Sequence, residues 1–192
     1  MLINILRPLA YLTIRHPSRL PALVNWFLPA LLAGVAVIGI GTLVKTSIDV
    51  WGATGVVNRL LGFIQNLPGF YIAALAAIAT FGGDALQKTM PGTPPTMSIP
   101  HNGGVLNKVA LTRRLFLSSM FAYLTALSLL LTLSAVAGLA LAEPAKNVIA
   151  LSAYPVIKAA VTFLYLMFVS QLICVTFWGL YYLGERLHLG DT

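Results

Sequence analysis

A chain of 192 residues with 58% apolar and only 9% charged side chains, at a mean hydropathy of +0.88, has too little polar surface for a soluble globule and requires lipid around it. Its formal charge of +7 would suit a nucleic-acid partner, but the Lys and Arg residues stand singly or in pairs at the edges of apolar runs, where anionic headgroups lie; no direct nucleic-acid binding is expected. The one cysteine, Cys174, falls inside an apolar run, which excludes a disulfide framework and a cysteine metal cluster.

Residues 1–16 carry apolar positions broken by Arg7 and Pro8 and no cleavage-site pattern, so they are expected to be retained rather than removed as a signal peptide. At 3.6 residues per turn Asn4, Arg7, Tyr11 and Arg15 share one face, and Leu2, Ile5, Leu6, Leu9 and Leu12 spread over the other. That pattern predicts an amphipathic helix lying in the headgroup layer, ended by Pro17; the alternative is a short irregular lead-in.

Four stretches are long and apolar enough to cross the roughly 30 Å hydrocarbon layer as helices, which satisfy their own backbone where no water can. The first is predicted at 21–44, with Trp26 at its early interface and Pro29 deep enough to kink it. The second, 60–83, is interrupted at Gln65, Asn66, Pro68 and Gly69, which predicts a kink or an unwound turn and a candidate hinge. The third, 115–142, runs from Arg113-Arg114 to Glu143-Pro144, and the fourth, 159–183, ends in an aromatic belt of Trp178, Tyr181 and Tyr182. The expected fold is therefore all-α: a single membrane domain over 1–192, built as a four-helix transmembrane bundle with an interfacial helix before it.

Arg7, Arg15, Arg19, Lys88, Lys108, Arg113, Arg114 and Arg186 would lie on one side of the bilayer, and Lys45, Arg59, Lys146 and Lys158 on the other. This excess puts both termini and the 84–114 loop in the cytoplasm. That loop, with Pro91, Pro94, Pro95, Pro100 and Gly103-Gly104, is too broken for a long helix or a central strand. It is either a docking surface for a soluble partner, through Lys88, Pro94, Pro95, His101, Lys108, Arg113 and Arg114, or a plain linker.

No nucleophile elbow, phosphate loop or HExxH motif occurs, all five acids lie at span ends or in loops, and His16, His101 and His188 are scattered. No catalytic residue, metal or cofactor is expected. Polar side chains within the spans are expected to bond to other helices, Gln171 foremost, and Ala73 with Ala77 and Ser134 with Gly138 are candidate positions for close helix or subunit packing. Alternatively, Asn25, Gln65 and Gln171 line the lumen of a holin-like or small channel oligomer, or the chain is an accessory subunit of a transporter.

The layout of four spans with cytoplasmic ends, together with Leu67-Pro68-Gly69-Phe70-Tyr71-Ile72-Ala73-Ala74-Leu75 and Thr112-Arg113-Arg114-Leu115-Phe116, resembles the membrane subunit of the Kiwa bacterial antiphage defence system. The resemblance implies a homo-oligomer of the bacterial inner membrane, a tetramer, that senses phage attachment or injection and works with a soluble DNA-binding effector.

Overall fold

The structure, a computed structural model, describes residues 6–15, 20–42, 49–80, 84–90, 94–100, 106–150 and 152–186. Among the described residues four helices are long and apolar enough to cross a membrane: Leu23–Thr42, Val56–Thr80, Arg113–Val148 and Tyr154–Gly184, the first to fourth spans below. Thr112 starts the third span by accepting the Leu115 N–H on its side chain at 3.2 Å, and Pro155 occupies the first turn of the fourth, where a missing N–H costs nothing. The third helix does not stop at Glu143-Pro144 as expected but continues to Val148; with the flanking turn intact, Pro144 removes only one helical hydrogen bond. The second span begins earlier than expected, at Val56, and is two helices, Val56–Ile64 and Leu67–Thr80, joined by the turn Gln65-Asn66.

The third and fourth spans form the centre. Leu117, Met120, Leu124, Leu172 and Val175 are almost wholly enclosed between them and their neighbours. The first span packs along the fourth and the second along the third, so the order across the molecule is first, fourth, third, second. Tyr71 of the second span still reaches the fourth, its hydroxyl 2.7 Å from Thr176 Oγ1. Away from these seams Leu31, Val35, Ile38, Leu130, Leu133, Leu164 and Phe177 are exposed, the surface expected of helices solvated by lipid.

Two segments outside the spans depart from expectation. Arg7–Thr13 is a 3-10 helix, not an amphipathic α-helix with Tyr11 on its polar face: Tyr11 is turned inward, 5% exposed, and packs against the third span. The reason is chemical, because the phenol finds both an aromatic bed and a polar partner inside the bundle. Between the second and third spans Thr96–Pro100 (β1) and Leu106–Ala110 (β2) form an antiparallel hairpin with Thr96 opposite Ala110. The proline-rich flanks permit it because a two-stranded ribbon needs no central strand. Arg15 is joined to Thr96 by two backbone hydrogen bonds of 3.0 Å, and Thr89 pairs with Thr112, so the hairpin is tied to the N-terminal segment and to the start of the third span.

At the opposite end Trp51 enters between the third and fourth spans. Its indole N–H donates to Thr162 Oγ1 at 2.9 Å, its ring meets Tyr165 edge-on, and its six-membered ring occupies the space a side chain at Gly138 would need. Gly138→Leu is expected to expel the indole and cost about 1–3 kcal/mol, read as a lower midpoint of unfolding in lipid nanodiscs; an unchanged midpoint would show that Trp51 contributes nothing to the closure of this end.

Candidate functional site

The buried polar cluster of the described residues begins with a proline. An α-helical carbonyl at position i is met by the N–H of residue i+4, and the residue four places after Asn25 is Pro29, which has none. The helix responds by widening into a π-helical turn over Leu23–Phe27, in which the Leu28 N–H reaches the Leu23 carbonyl. Gln171 of the fourth span donates its Nε2 proton to the Asn25 carbonyl at 2.7 Å. The Tyr123 hydroxyl of the third span donates to Gln171 Oε1 at 2.8 Å. The circuit continues through the Asn25 side chain, whose Oδ1 accepts from the Tyr11 hydroxyl at 3.3 Å, while the Tyr11 and Tyr123 rings stack with centroids 5.2 Å apart.

Four separate elements thus meet in one polar joint. Gln171 is fully enclosed, and Tyr123, Tyr11 and Asn25 are 2%, 5% and 8% exposed. Burial pushes the Tyr11 phenol up to about 12, the bond to Asn25 countering in part, so Tyr11 remains a neutral donor throughout the physiological range. In this arrangement Asn25 and Gln171 satisfy each other inside one chain and do not face a lumen within it.

The interrupted turn of the second span lies elsewhere. Gln65, Asn66 and Gly69 are exposed and Pro68 is buried. The Asn66 Nδ2 donates to the Gly62 carbonyl one turn back at 3.0 Å. Gly62, Phe63, Asn66, Gly69, Phe70 and Ala73 line an open groove of about 680 Å³ on this outer face. Its depth follows from two fixed contacts: Tyr71 stands at Phe121 and Thr176, and Trp51 at Gly138 and Thr162, so Gln65 and Asn66 fall in the middle of the span.

Of the residues considered for docking, Lys88 and Lys108 have exposed side chains, Pro94 and Arg114 are partly covered, and His101 lies outside the described residues. Pro95 and Arg113 are buried and offer no surface to a partner. The Pro95 carbonyl is taken by the Leu111 N–H, and Arg113 is 3% exposed at the foot of the third span, where the chain turns in under the hairpin. Among the packing candidates Ala73 is exposed on the groove, Ala77 is partly covered, Ser134 is exposed, and Gly138 accommodates Trp51 and not another helix. No group of three or more His, Cys, Asp or Glu side chains suited to a metal occurs among the described residues.

The hydroxyl groups correct a broader expectation. Ser119, Thr125, Ser128, Thr132 and Ser134 bond to carbonyls three or four residues back in their own helix and not to neighbouring helices. A hydroxyl on a helix reaches its own backbone without any partner having to be positioned. Asn25, Gln171, Thr162 and Thr176 do bond between elements, and apart from the Gln171–Asn25 bond itself their partners are Tyr11, Tyr123, Trp51 and Tyr71, whose rings count as apolar in a hydropathy reading. The detectable signal was a proline four residues after a span asparagine, with tyrosines in the same apolar stretches.

The fold and its apolar surface define a multi-pass membrane protein. Comparison with protein-family models, curated proteins and solved structures gives no match to this chain.

Gln171→Leu removes the donor to the Asn25 carbonyl and the acceptor for Tyr123 together, and is expected to cost about 1–3 kcal/mol. Pairing it with Tyr123→Phe should add little, because the second change removes a group already stranded. Additive losses in a double-mutant cycle, measured by unfolding in mixed micelles, would show that the two side chains do not interact.

Proposed function

We infer that this protein is a non-enzymatic scaffold and sensor of the bacterial inner membrane, which assembles into a homo-oligomer and recruits a soluble cytoplasmic effector. The observation that carries the assembly is the exposure of Gln65 and Asn66 at mid-depth in the second span. Carboxamides facing hydrocarbon are costly, and a neighbouring helix that offers polar groups removes the cost. The groove of Gly62, Asn66, Gly69 and Ala73 gives such a helix room for close approach, since nothing lies within 4 Å of a Cβ at Gly62 or Gly69. A second copy of the chain supplies the same amides at the same depth.

Recruitment is assigned to the hairpin end. In the sequence the segments 1–19, 84–114 and 184–192 hold eight Lys and Arg residues against Asp84, Glu185 and Asp191, which supports a cytoplasmic side for both termini and the loop between the second and third spans. Lys88 and Lys108 are its exposed cations among the docking candidates. The role in antiphage defence, the tetramer and the DNA-binding nature of the effector rest on the resemblance of the sequence to the Kiwa membrane subunit. Detection of phage attachment or membrane perturbation would act on the Gln65–Gly69 break, where two helices meet without a continuous hydrogen-bond ladder.

The exposed amides also favour a second reading, in which several copies arrange them around a water-filled lumen. One preparation separates the readings. With Cys174 replaced by serine, Phe70→Cys, beside the groove with both amides kept, is expected to form disulfide-linked dimers on oxidation in native membranes, whereas Leu130→Cys, on an exposed face of the third span, is not. Gly69→Leu, which fills the groove, should reduce the cross-linked yield at least about tenfold, the effect of losing a contact worth about 1.4 kcal/mol. Equal monomer for both cysteine variants would sink the assembly. Retention of a small dye by proteoliposomes holding the oligomer supports the scaffold, and its release supports the pore.

A further inference from the structure

The N-terminal segment is bonded at both of its ends. At one end Tyr11 is seated in the bundle, stacked on Tyr123 and donating to Asn25, whose carbonyl takes the Gln171 amide. At the other, four residues on, Arg15 exchanges two backbone hydrogen bonds with Thr96 of β1. Four residues span at most about 14 Å when fully extended, and this stretch is shortened by a turn in which the Ile14 N–H reaches the Tyr11 carbonyl at 3.2 Å. A displacement of the hairpin beyond the small reserve held in that turn must either break the Arg15–Thr96 pair or draw on Tyr11.

Other bonds make the hairpin end move as a unit. The Leu111 N–H donates to Pro95, the Met90 N–H to Leu111 and the Arg113 N–H to Lys88, so β1, β2 and the strand-like segment at Thr89 are laced together at the foot of the third span. Inside the bundle the joint is equally continuous, because the hydrogen-bonded path from Tyr11 to Tyr123 runs through Asn25 and Gln171 while the two phenol rings also stack directly. Withdrawal of Tyr11 leaves the buried Asn25 Oδ1 without that donor and uncovers the stacked Tyr123 ring, whose hydroxyl is bonded to Gln171, so a change at Gln171 follows.

We propose that Tyr11–Arg15 is a strap that couples the position of the β-hairpin to the Asn25–Gln171–Tyr123 joint inside the bilayer. A ligand or partner that shifts the hairpin thereby changes the contact of the first span with the fourth, and a change in that contact is returned to the hairpin with the same free energy. The strap deepens the docking role proposed above by giving a docked hairpin a path into the membrane. It rests on that role only for the source of the displacement, since the coupling belongs to a single chain.

The test uses the full chain in lipid nanodiscs with no partner present. Only three glutamines occur, Gln65, Gln87 and Gln171, so side-chain amide spectra of 15N-glutamine protein have few signals, and Gln171→Leu assigns the one in the joint. Thr96→Pro deletes the Thr96 N–H that faces Arg15 while sparing the ladder to β2, whose bonds fall on the alternate residues marked by the Leu111-to-Pro95 bond. The Gln171 signal is expected to shift and the Gln65 signal to stay in place. In the reverse direction Tyr11→Phe, which keeps the ring, should speed hydrogen exchange at the Arg15 and Thr96 amides at least about threefold and leave Val57 at the far end unchanged. An unmoved Gln171 signal in Thr96→Pro overturns the strap. If Thr96→Pro disturbs Gln65 as well, the exchange arm decides alone, and unaltered Arg15 and Thr96 amides in Tyr11→Phe overturn it. Failure of a partner to bind while both couplings are present would remove the docking role and not the strap.

Discussion

Everything central in this bundle depends on one carbonyl that its own helix cannot satisfy. Pro29 takes away the donor due to Asn25, and at membrane depth no water replaces it; an unmet backbone acceptor there costs several kcal/mol. Gln171 supplies the proton, and in doing so fixes the first span against the fourth at a defined height and rotation. Apolar packing alone would leave such helices free to slide, because lipid tails solvate their surfaces as well as a neighbouring helix does. The bond to Tyr123 extends the same registration to the third span, and Tyr11 closes the remaining side. Three spans and the N-terminal segment therefore share one coordinate origin.

The second span is held differently. It lies along the third span, with the Tyr71 hydroxyl bonded to Thr176 of the fourth, and its own amides at Gln65 and Asn66 face outward. Its helix is broken where the others are continuous, and Pro68 sits in the first turn of the second half, where its lack of an N–H is harmless. A rigid three-span centre with a segmented fourth partner concentrates conformational freedom on one side of the molecule. The Trp51 closure at the far end limits that freedom, since the indole stands between Gly138 and Thr162 shortly before the second span begins.

Much of this architecture was legible in the sequence, because hydrocarbon thickness imposes a length on each apolar run and loop prolines mark where helices cannot continue. The four spans and the break at Gln65–Gly69 follow from that alone. What escaped depends on partners distant in sequence. Tyr11 falls on the polar face of an ideal helix, and only the meeting with Asn25 and Tyr123 explains why it turns inward. The β1–β2 hairpin is set by long-range register, to which a segment rich in proline gives no periodic clue. The Glu143-Pro144 pair looked like a stop and was not one, since a proline near a helix end sacrifices a single bond. Gln171 could be singled out by its polarity, but whether it would face a neighbour, a second subunit or water was decided by the orphan carbonyl across from it.

The two sets of amides in the spans make the same physical demand and meet it in opposite ways. Asn25 and Gln171 are complementary, a bare acceptor facing a donor, and they close on each other within one chain. The Asn66 amide donates to the Gly62 carbonyl one turn back, and the side chain is exposed on the outer face. It lies in a groove with Gly62, Gly69 and Ala73, which leave backbone accessible between Phe63 and Phe70, unlike the bulky aliphatic groups that cover the exposed faces of the first, third and fourth spans. A surface meant only for lipid gains nothing from glycines, which leave backbone accessible, or from amides, which hydrocarbon does not solvate. Both features lose their cost when another helix lies in the groove, because close approach then converts the bare backbone into packing contact and the amides into interhelical hydrogen bonds. The first set of amides registers the helices of a single chain, and the second is the ground on which the proposed assembly rests.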